Sequence, residues 1–314
     1  MNKKILISIS FTVFTFAFFT GIFFYRSIFS NSEYQSSIII EIGPGESINS
    51  VTEKIIKAKI STNKFIVRMM LNRNANFDKI KYGEFSLPNE VSLYDAIKLL
   101  SKAPNIFHKI TIIEGENSDD VVNKINSDSN INNDTENPID EGTLLPDTYC
   151  FAKHTSKSSL IKLIQNKQQE YIDREFQNKS ELCTLNTKED VIKLASIVEK
   201  ESSILREKQL IAYIYMQRLR KGMRLQSCPT ALYKTNKSVL LINDTKVVNE
   251  YNTYRMKGLP VTPICNPGRD SIYAVLHPIA SNFLFFVSNK KGGNIFSSNF
   301  TDHKKVKQVV KKYQ

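Results

Sequence analysis

From Ile5 to Tyr25 the chain is apolar without one charged residue, with Lys3-Lys4 before the run and Arg26 after it. About 20 such residues span a bilayer as a helix. A cleaved signal peptide is the competing reading, but its apolar region is usually about 7 to 15 residues and ends in small residues. This run is longer and meets Tyr25-Arg26. The pattern therefore predicts an uncleaved anchor in residues 1–30. The paired lysines put the N-terminus in the cytoplasm and the body, from about Asn31, on the far side of the inner (cytoplasmic) membrane as a single-pass protein.

Beyond the anchor the period changes. Ser37 to Ile42 is β-branched, Gly43-Pro44-Gly45 is a turn, and Glu46 to Ala58 carries Ile48, Val51, Ile55 and Ile56 at helical spacing. Asn63 to Leu71 predicts a second helix, Tyr82 to Leu87 alternates as a strand, and Ser92 caps a helix over Leu93 to Ser101. Lys109 to Asn126 repeats the opening order of strand, Glu114-Gly115-Glu116 turn and helix. Asn126 to Asp140, rich in Asn, Asp and Ser, has no apolar period and reads as a linker or surface loop. The expected organisation is α+β throughout: an anchor (1–30), a first module with its repeat-like extension (31–125), a linker (126–140) and a second domain (141–314).

In the second domain Ser159 to Phe176 and Glu207 to Lys221 predict helices, with Gly222 closing the latter. From Met223 loops and strands follow, with Phe283 to Val287 and Asn294 to Ser297 as a hairpin. Between the two helices lies Thr187 to Ser202, TKEDVIKLASIVEKES. Thr187 is the N-cap, and Glu189 and Asp190 fill the first turn where the helix dipole favours acidic groups. At about 100° per residue, Val191, Leu194, Ala195 and Val198 form one apolar stripe with Ile197 at its edge. Lys193, Ser196 and Lys200 fall opposite. Glu199 projects near Ile192 at the margin and is expected to be solvated, whereas Glu201 lands between Leu194 and Ile197, on the core side. Desolvation raises the pKa of such a carboxyl, and the negative end of its own helix raises it further. A glutamate near a helix end is ordinarily a surface charge, so geometry alone marks Glu201 only as a candidate acid.

Composition is globular, 41% hydrophobic and 24% charged, so disorder does not dominate. The formal net charge of +12 would suggest nucleic acid for a cytoplasmic protein. Outside the membrane it suggests affinity for anionic lipid or wall polymer, and no nucleic acid is expected. Cys150, Cys183, Cys228 and Cys265 show neither CxxC nor His-paired spacing. No structural metal is expected, and disulfide pairing stays open.

Nine stretches then follow in order: EGTLLPDTY, LASIVEKES, QRLRKGMRLQS, CPTALY, YNTY, GLP, NPG, HP and FFVSNKKGG. Together they resemble the MltG (YceG-like) family of endolytic murein transglycosylases, over nearly the whole chain. The resemblance implies a membrane-anchored enzyme, with a LysM-like module ahead of a catalytic domain that cuts nascent peptidoglycan strands. It carries the catalytic role to the second glutamate of EKE, which is Glu201. Three positions depart from the family pattern: Cys228 stands where Asp is usual, Val261-Thr262-Pro263-Ile264 where Pro-Gly-Pro-Ile is frequent, and Asn294 where His is common. No catalytic role is expected of these. His303 matches a family histidine and is expected to be structural or solvated.

A lytic transglycosylase needs one carboxyl group, because the nucleophile is the 6-hydroxyl of the N-acetylmuramic acid being cleaved. No cofactor is required. Gln226, Tyr251, Asn252 and Tyr254 match family motifs and have the aromatic and amide chemistry that binds sugar, so they are the expected substrate-binding residues. Partners are peptidoglycan strands, the membrane, and peptidoglycan synthases or other cell-wall proteins. The competing functions are a muramidase using Glu201 with water, and a wall-binding scaffold without catalysis, to which Cys228 lends weight. Aminodeoxychorismate lyase, a label sometimes attached to the family, requires pyridoxal phosphate and a cytoplasmic substrate, which the predicted topology opposes.

Overall fold

The structure, a computed structural model, describes residues 3–33, 37–73, 80–235, 237, 239–289 and 291–312. Lys290 of FFVSNKKGG lies outside the described residues. The fold mixes helices with short two-stranded sheets. Helix α1 (Lys3–Phe29) contains the single segment among the described residues, Ile7–Phe29, that is long and apolar enough to cross a membrane.

The chain divides into two compact units. The first comprises residues 1–109, 130–132 and 150–156. It holds β1 (Ser32–Glu33), β2 (Ile38–Ile42), α2 (Ile48–Lys57), α3 (Lys64–Arg73), β3 (Gly83–Leu87), β4 (Glu90–Val91) and α4 (Leu93–Leu100). Strands β2 and β3 are antiparallel, from Ile38 opposite Leu87 to Ile42 opposite Gly83. Alternation sends Ile40, Ile42, Phe85 and Leu87 into a core shared with Val51, Ile55, Ile66 and Leu93. Ser47 and Ser92 accept hydrogen bonds from Ser50 N and Asp95 N and so start α2 and α4. Phe24 and Ile28, in the last turns of α1, pack on this core.

The expected 31–125 and 141–314 segments do not coincide with these units. The cut falls inside β5 (His108–Thr111), and the following helix α5 (Ser118–Ser127) belongs to the second unit. The reason is local: Ile112 N donates to Asp147 O, and Gly115 N and Asn266 N bond reciprocally to Asn266 O and Glu116 O. The stretch read as a linker is also built in. Its β6 (Ile131–Asn132) pairs in parallel with a later strand of the first unit, Thr155–Ser156, and Ile131 is buried. Two apolar-to-polar alternations are too short to register as a period.

The second unit takes in the start of β7 (Thr148–Phe151), up to Tyr149, while Cys150 and Phe151 belong to the first. After β8 (Thr155–Ser156) come α6 (Lys157–Gln177), α7 (Lys188–Glu201), α8 (Leu205–Arg220), α9 (Cys228–Leu232), α10 (Arg269–Leu276), the hairpin β9 (Phe285–Ser288) and β10 (Asn294–Ser297), and α11 (Phe300–Lys312). Val191, Leu194, Ala195, Ile197 and Val198 of α7 meet Ile211, Ala212, Tyr215 and Met216 of α8 and Ile272, Val275 and Leu276 of α10 in one core. Thr187 caps α7 as expected, accepting from Asp190 N at 3.1 Å. Ser196 corrects the helical-wheel reading: it is fully buried, and its Oγ accepts from Ile264 N at 3.0 Å. All four cysteines are free thiols.

Candidate active site

Helix α7 ends at Glu201, whose Cα is followed by extended backbone at Ser202. The Glu201 side chain is directed inward, as its place between Leu194 and Ile197 predicts. Its Oε1 accepts from Tyr215 Oη on α8 at 2.8 Å and from Ser227 Oγ, just ahead of α9, at 2.6 Å. Burial drives the pKa of Glu201 up, partly opposed by the hydrogen bonds of Ser227 and Tyr215 and by the charge of Arg218. A carboxyl so placed holds its proton at a pH where an exposed glutamate has lost it.

Glu201 opens into a cleft of about 580 Å³, bordered by Gln226, Cys228 and Tyr254, by the β9 aromatics, and by α11. An adjoining cavity of about 330 Å³ shares Glu201, Ser288 and Asn294 with the cleft. The carboxyl thus stands at the junction of two hollows. A larger cavity of about 750 Å³ lies elsewhere in the second unit, beside Glu141, Gln168 and Pro263, and does not include Glu201. Of the carboxylates beside it, Glu141 bonds Ser118 and Tyr233, Glu189 pairs with Lys193, and Asp140 is exposed. Burial raises the pKa of Glu141 as well as that of Glu201; Glu201 differs in standing where two hollows meet.

The four expected sugar-binding residues separate into two pairs. Gln226 and Tyr254 line the cleft. Gln226 is exposed and held at φ +52, with its N–H donating to Thr253 O at 3.1 Å. A glutamine in the left-handed region is uncommon and marks a position worth functional scrutiny. Tyr251 and Asn252, also expected to touch sugar, do not border the cleft. Asn252 is fully buried; its Nδ2 donates to Asp244 O and Val247 O, and its Oδ1 accepts from Tyr254 N. Tyr251 is 8% exposed, packs on the Tyr233 ring and bonds the Thr262 hydroxyl. Every polar atom of the Asn252 amide is spent on shaping the loop that presents Tyr254.

Glu199 also differs from its sequence reading. Its side chain is only 7% exposed, ion-paired at 2.9 Å with Lys208, itself 2% exposed. Oε2 accepts from Gly268 N at 2.9 Å and Ser271 Oγ at 2.7 Å. The margin of the α7 stripe is covered by the NPG turn and α10, which a wheel drawn for one helix does not contain. Two carboxylates on one helix end therefore have different states: Glu199 is neutralised by a buried cation, and Glu201 is surrounded by hydroxyls.

Sequence reasoning missed Tyr215, Ser227 and Arg218. Tyr215 falls on the apolar face of α8 and passes for a core residue, while Ser227 and Arg218 lie within QRLRKGMRLQS without a spacing that marks them. Arg218 is 6% exposed and donates to the carbonyls of Leu225 and Leu284. Of the departures, Cys228 borders the cleft, with Sγ 3.2 Å from the Tyr254 hydroxyl and its thiol pKa raised by burial. Asn294 donates through its backbone and side-chain nitrogens to Glu207. His303 also borders the cleft, stacked on Phe285; burial, Lys307 and Arg218 lower its pKa.

The model of the YceG-like family matches residues 40–309. An endolytic murein transglycosylase of Bacillus subtilis (strain 168) is 32% identical over 181 residues, 56% of this chain and 49% of that protein. One of Streptococcus pneumoniae serotype 2 is 30% identical over 172 residues, 52% of this chain and 31% of that protein. The chain thus spans about half or less of the length of these curated relatives. Among solved structures, a yceG-like protein of Listeria monocytogenes matches with a TM-score of 0.54 at 26% identity, over 87% of this chain and 99% of that one.

Proposed function

Because the chain belongs to the YceG-like family, whose model covers residues 40–309, we propose that it is a lytic transglycosylase acting on peptidoglycan, with Glu201 as its catalytic acid and base. The observation that carries this reading is the Glu201 carboxyl itself, kept protonated by burial at the meeting of two cavities. The names of the Bacillus and Streptococcus relatives support the same substrate.

A glycan strand lying through both hollows brings its scissile bond over Glu201. The proton of Glu201 passes to the glycosidic oxygen, the bond from C1 of N-acetylmuramic acid breaks, and its electron pair leaves with the N-acetylglucosamine oxygen. The 6-hydroxyl of the same muramic acid then bonds C1, and its proton returns to Glu201. One group that first gives and then takes a proton works best with a pKa near the working pH. Glycosidases that use water ordinarily pair two carboxyl groups; among the described residues bordering the 580 Å³ cleft, Glu201 is the one carboxylate, and Glu199, which borders the adjoining cavity, is ion-paired with Lys208. That favours ring closure over hydrolysis. Gln226 and Tyr254 contact the sugars from the cleft wall.

In this reading α1 anchors the protein in the cytoplasmic membrane, and both units work outside it. The first unit is a LysM-like module: its two antiparallel strands, β2 and β3, enclose two helices in sequence. It would hold the enzyme on the wall polymer, and synthases building nascent strands are the expected neighbours. The test is mass spectrometry of fragments released from purified glycan strands. New 1,6-anhydromuramic ends support the reading; new reducing ends make the protein a muramidase; no cleavage leaves a wall-binding scaffold.

A further inference from the structure

We propose that Tyr215 and Ser227 are positioning residues that hold the Glu201 carboxyl in one hydrogen-bonded form, with Oε1 as the acceptor and the transferable proton on Oε2. This rests on the reading of Glu201 as the acid.

The geometry points there because both hydroxyls approach the same oxygen, Tyr215 Oη at 2.8 Å and Ser227 Oγ at 2.6 Å from Oε1. A protonated carboxyl has one oxygen carrying hydrogen and one with two free lone pairs. Two donors occupy both lone pairs of Oε1. Moving the proton onto Oε1 would turn one of these hydroxyls from donor to acceptor and leave the other, in a site where Tyr215 and Ser227 are each only 1% exposed, with its neighbour as partner in place of the carboxyl. The arrangement in which both hydroxyls donate to Oε1 places the proton on Oε2. Once it has left for the glycosidic oxygen, the same two hydrogen bonds become charge-assisted and stabilise the carboxylate that must recover a proton from the 6-hydroxyl.

The donors are fixed in turn. Ser227 N donates to Thr253 Oγ1 at 3.0 Å, Thr230 Oγ1 donates to Ser227 O at 2.7 Å, and the two threonine hydroxyls lie 2.7 Å apart. The Tyr215 ring stands edge-on to Phe286, centroids 5.8 Å apart. YNTY thereby acts on Glu201 through Thr253 and Ser227, although its Tyr251 and Asn252 stay away from the cleft.

Arg218 and Lys307 supply the positive charge around the cleft, and Cys228, Tyr254 and His303 are its remaining titratable groups. Burial pushes Cys228 and Tyr254 up and His303 down. Neither Tyr215→Phe nor Ser227→Ala removes a hydrogen bond to Cys228, Tyr254 or His303, so a limb that both of them move belongs to Glu201. Hydrogen bonds to the carboxylate lower its pKa, so removing one raises it, and a reaction that starts from the protonated acid extends to higher pH.

The experiment measures kcat and kcat/KM against pH for the full-length protein in detergent, as wild type, Tyr215→Phe, Ser227→Ala, Ser227→Thr and Glu201→Gln. Tyr215→Phe and Ser227→Ala are each expected to move the alkaline limb up by about one pH unit. Each is also expected to lower kcat about 10-fold with KM little changed. Ser227→Thr, which keeps the hydroxyl, should restore the wild-type limb. Loss of activity with the limb unmoved in both Tyr215→Phe and Ser227→Ala would overturn the positioning role. Activity retained in Glu201→Gln would instead overturn the acid assignment on which it rests.

Discussion

Glu199 and Glu201 are separated by about 200° on one helix, and their surroundings assign them opposite sensitivities. Glu201→Gln keeps the shape and removes the transferable proton; acid–base catalysis is worth about 100- to 10,000-fold, so release of anhydromuropeptides should fall by that order. Its melting temperature should hold or rise, because an unfavourably buried acid is gone. Glu199→Gln leaves Lys208 buried without its counter-charge, for which breaking a buried pair costs about 3 to 5 kcal/mol. Chemical denaturation should register that loss, and a variant as stable as wild type would contradict the pairing seen at 2.9 Å. The pH dependence follows from the raised pKa of Glu201. The folded state keeps a proton that the unfolded chain loses around its ordinary value of 4.5, so stability declines as pH climbs from there toward the folded value. Melting curves against pH should show a shallower decline in Glu201→Gln. The wheel turned Glu201 inward because its neighbours there are apolar; it misjudged the exposure of Glu199 because Lys208, Gly268 and Ser271 arrive from distant parts of the chain.

Helix α7 was legible almost residue by residue, since a cap, a first acidic turn and an apolar stripe all agree over 14 residues. Thr187→Ala deletes the cap bond and should cost about 1 kcal/mol in denaturant unfolding; no change would mean that the first turn is held by packing alone. Helix α10 was not legible. Its Ser271, Ile272, Ala274, Val275 and Leu276 are buried nearly all round, so no polar face reveals the 3.6-residue period in eight residues. Helix α11 escaped for the opposite reason, as KKVKQVVKK offers few apolar residues to fix a phase. The hairpin β9–β10 was read correctly because Gly292-Gly293 interrupts two β-branched and aromatic runs. What the sequence withheld was therefore the frame around the acid, two helices and a hydroxyl pair, more than the acid itself.

At the scale of the whole molecule, helix α1 is packed as well as apolar. Phe24 and Ile28 pack against the first core, and the Phe29 and Tyr94 rings lie 5.5 Å apart. A fragment beginning at Asn31 should remain soluble without detergent and keep the second unit's fold, while the first unit melts earlier; calorimetry resolving two transitions is the check. Residue composition located a plausible seam at 126–140, yet seams are made by pairing, and β6 gave no sign of its partner. The chain moves between units at 109–110, 129–130, 132–133, 149–150 and 156–157. Synthesis delivers the chain N-terminus first, so the first unit lacks β8 until residues 110–149 have already emerged. Neither unit can finish before the other has begun, and domain-by-domain maturation, the usual safeguard of long chains, is closed to this one. A single nick by a protease near residue 140 would free no self-sufficient piece, because each of the two fragments would hold parts of both units.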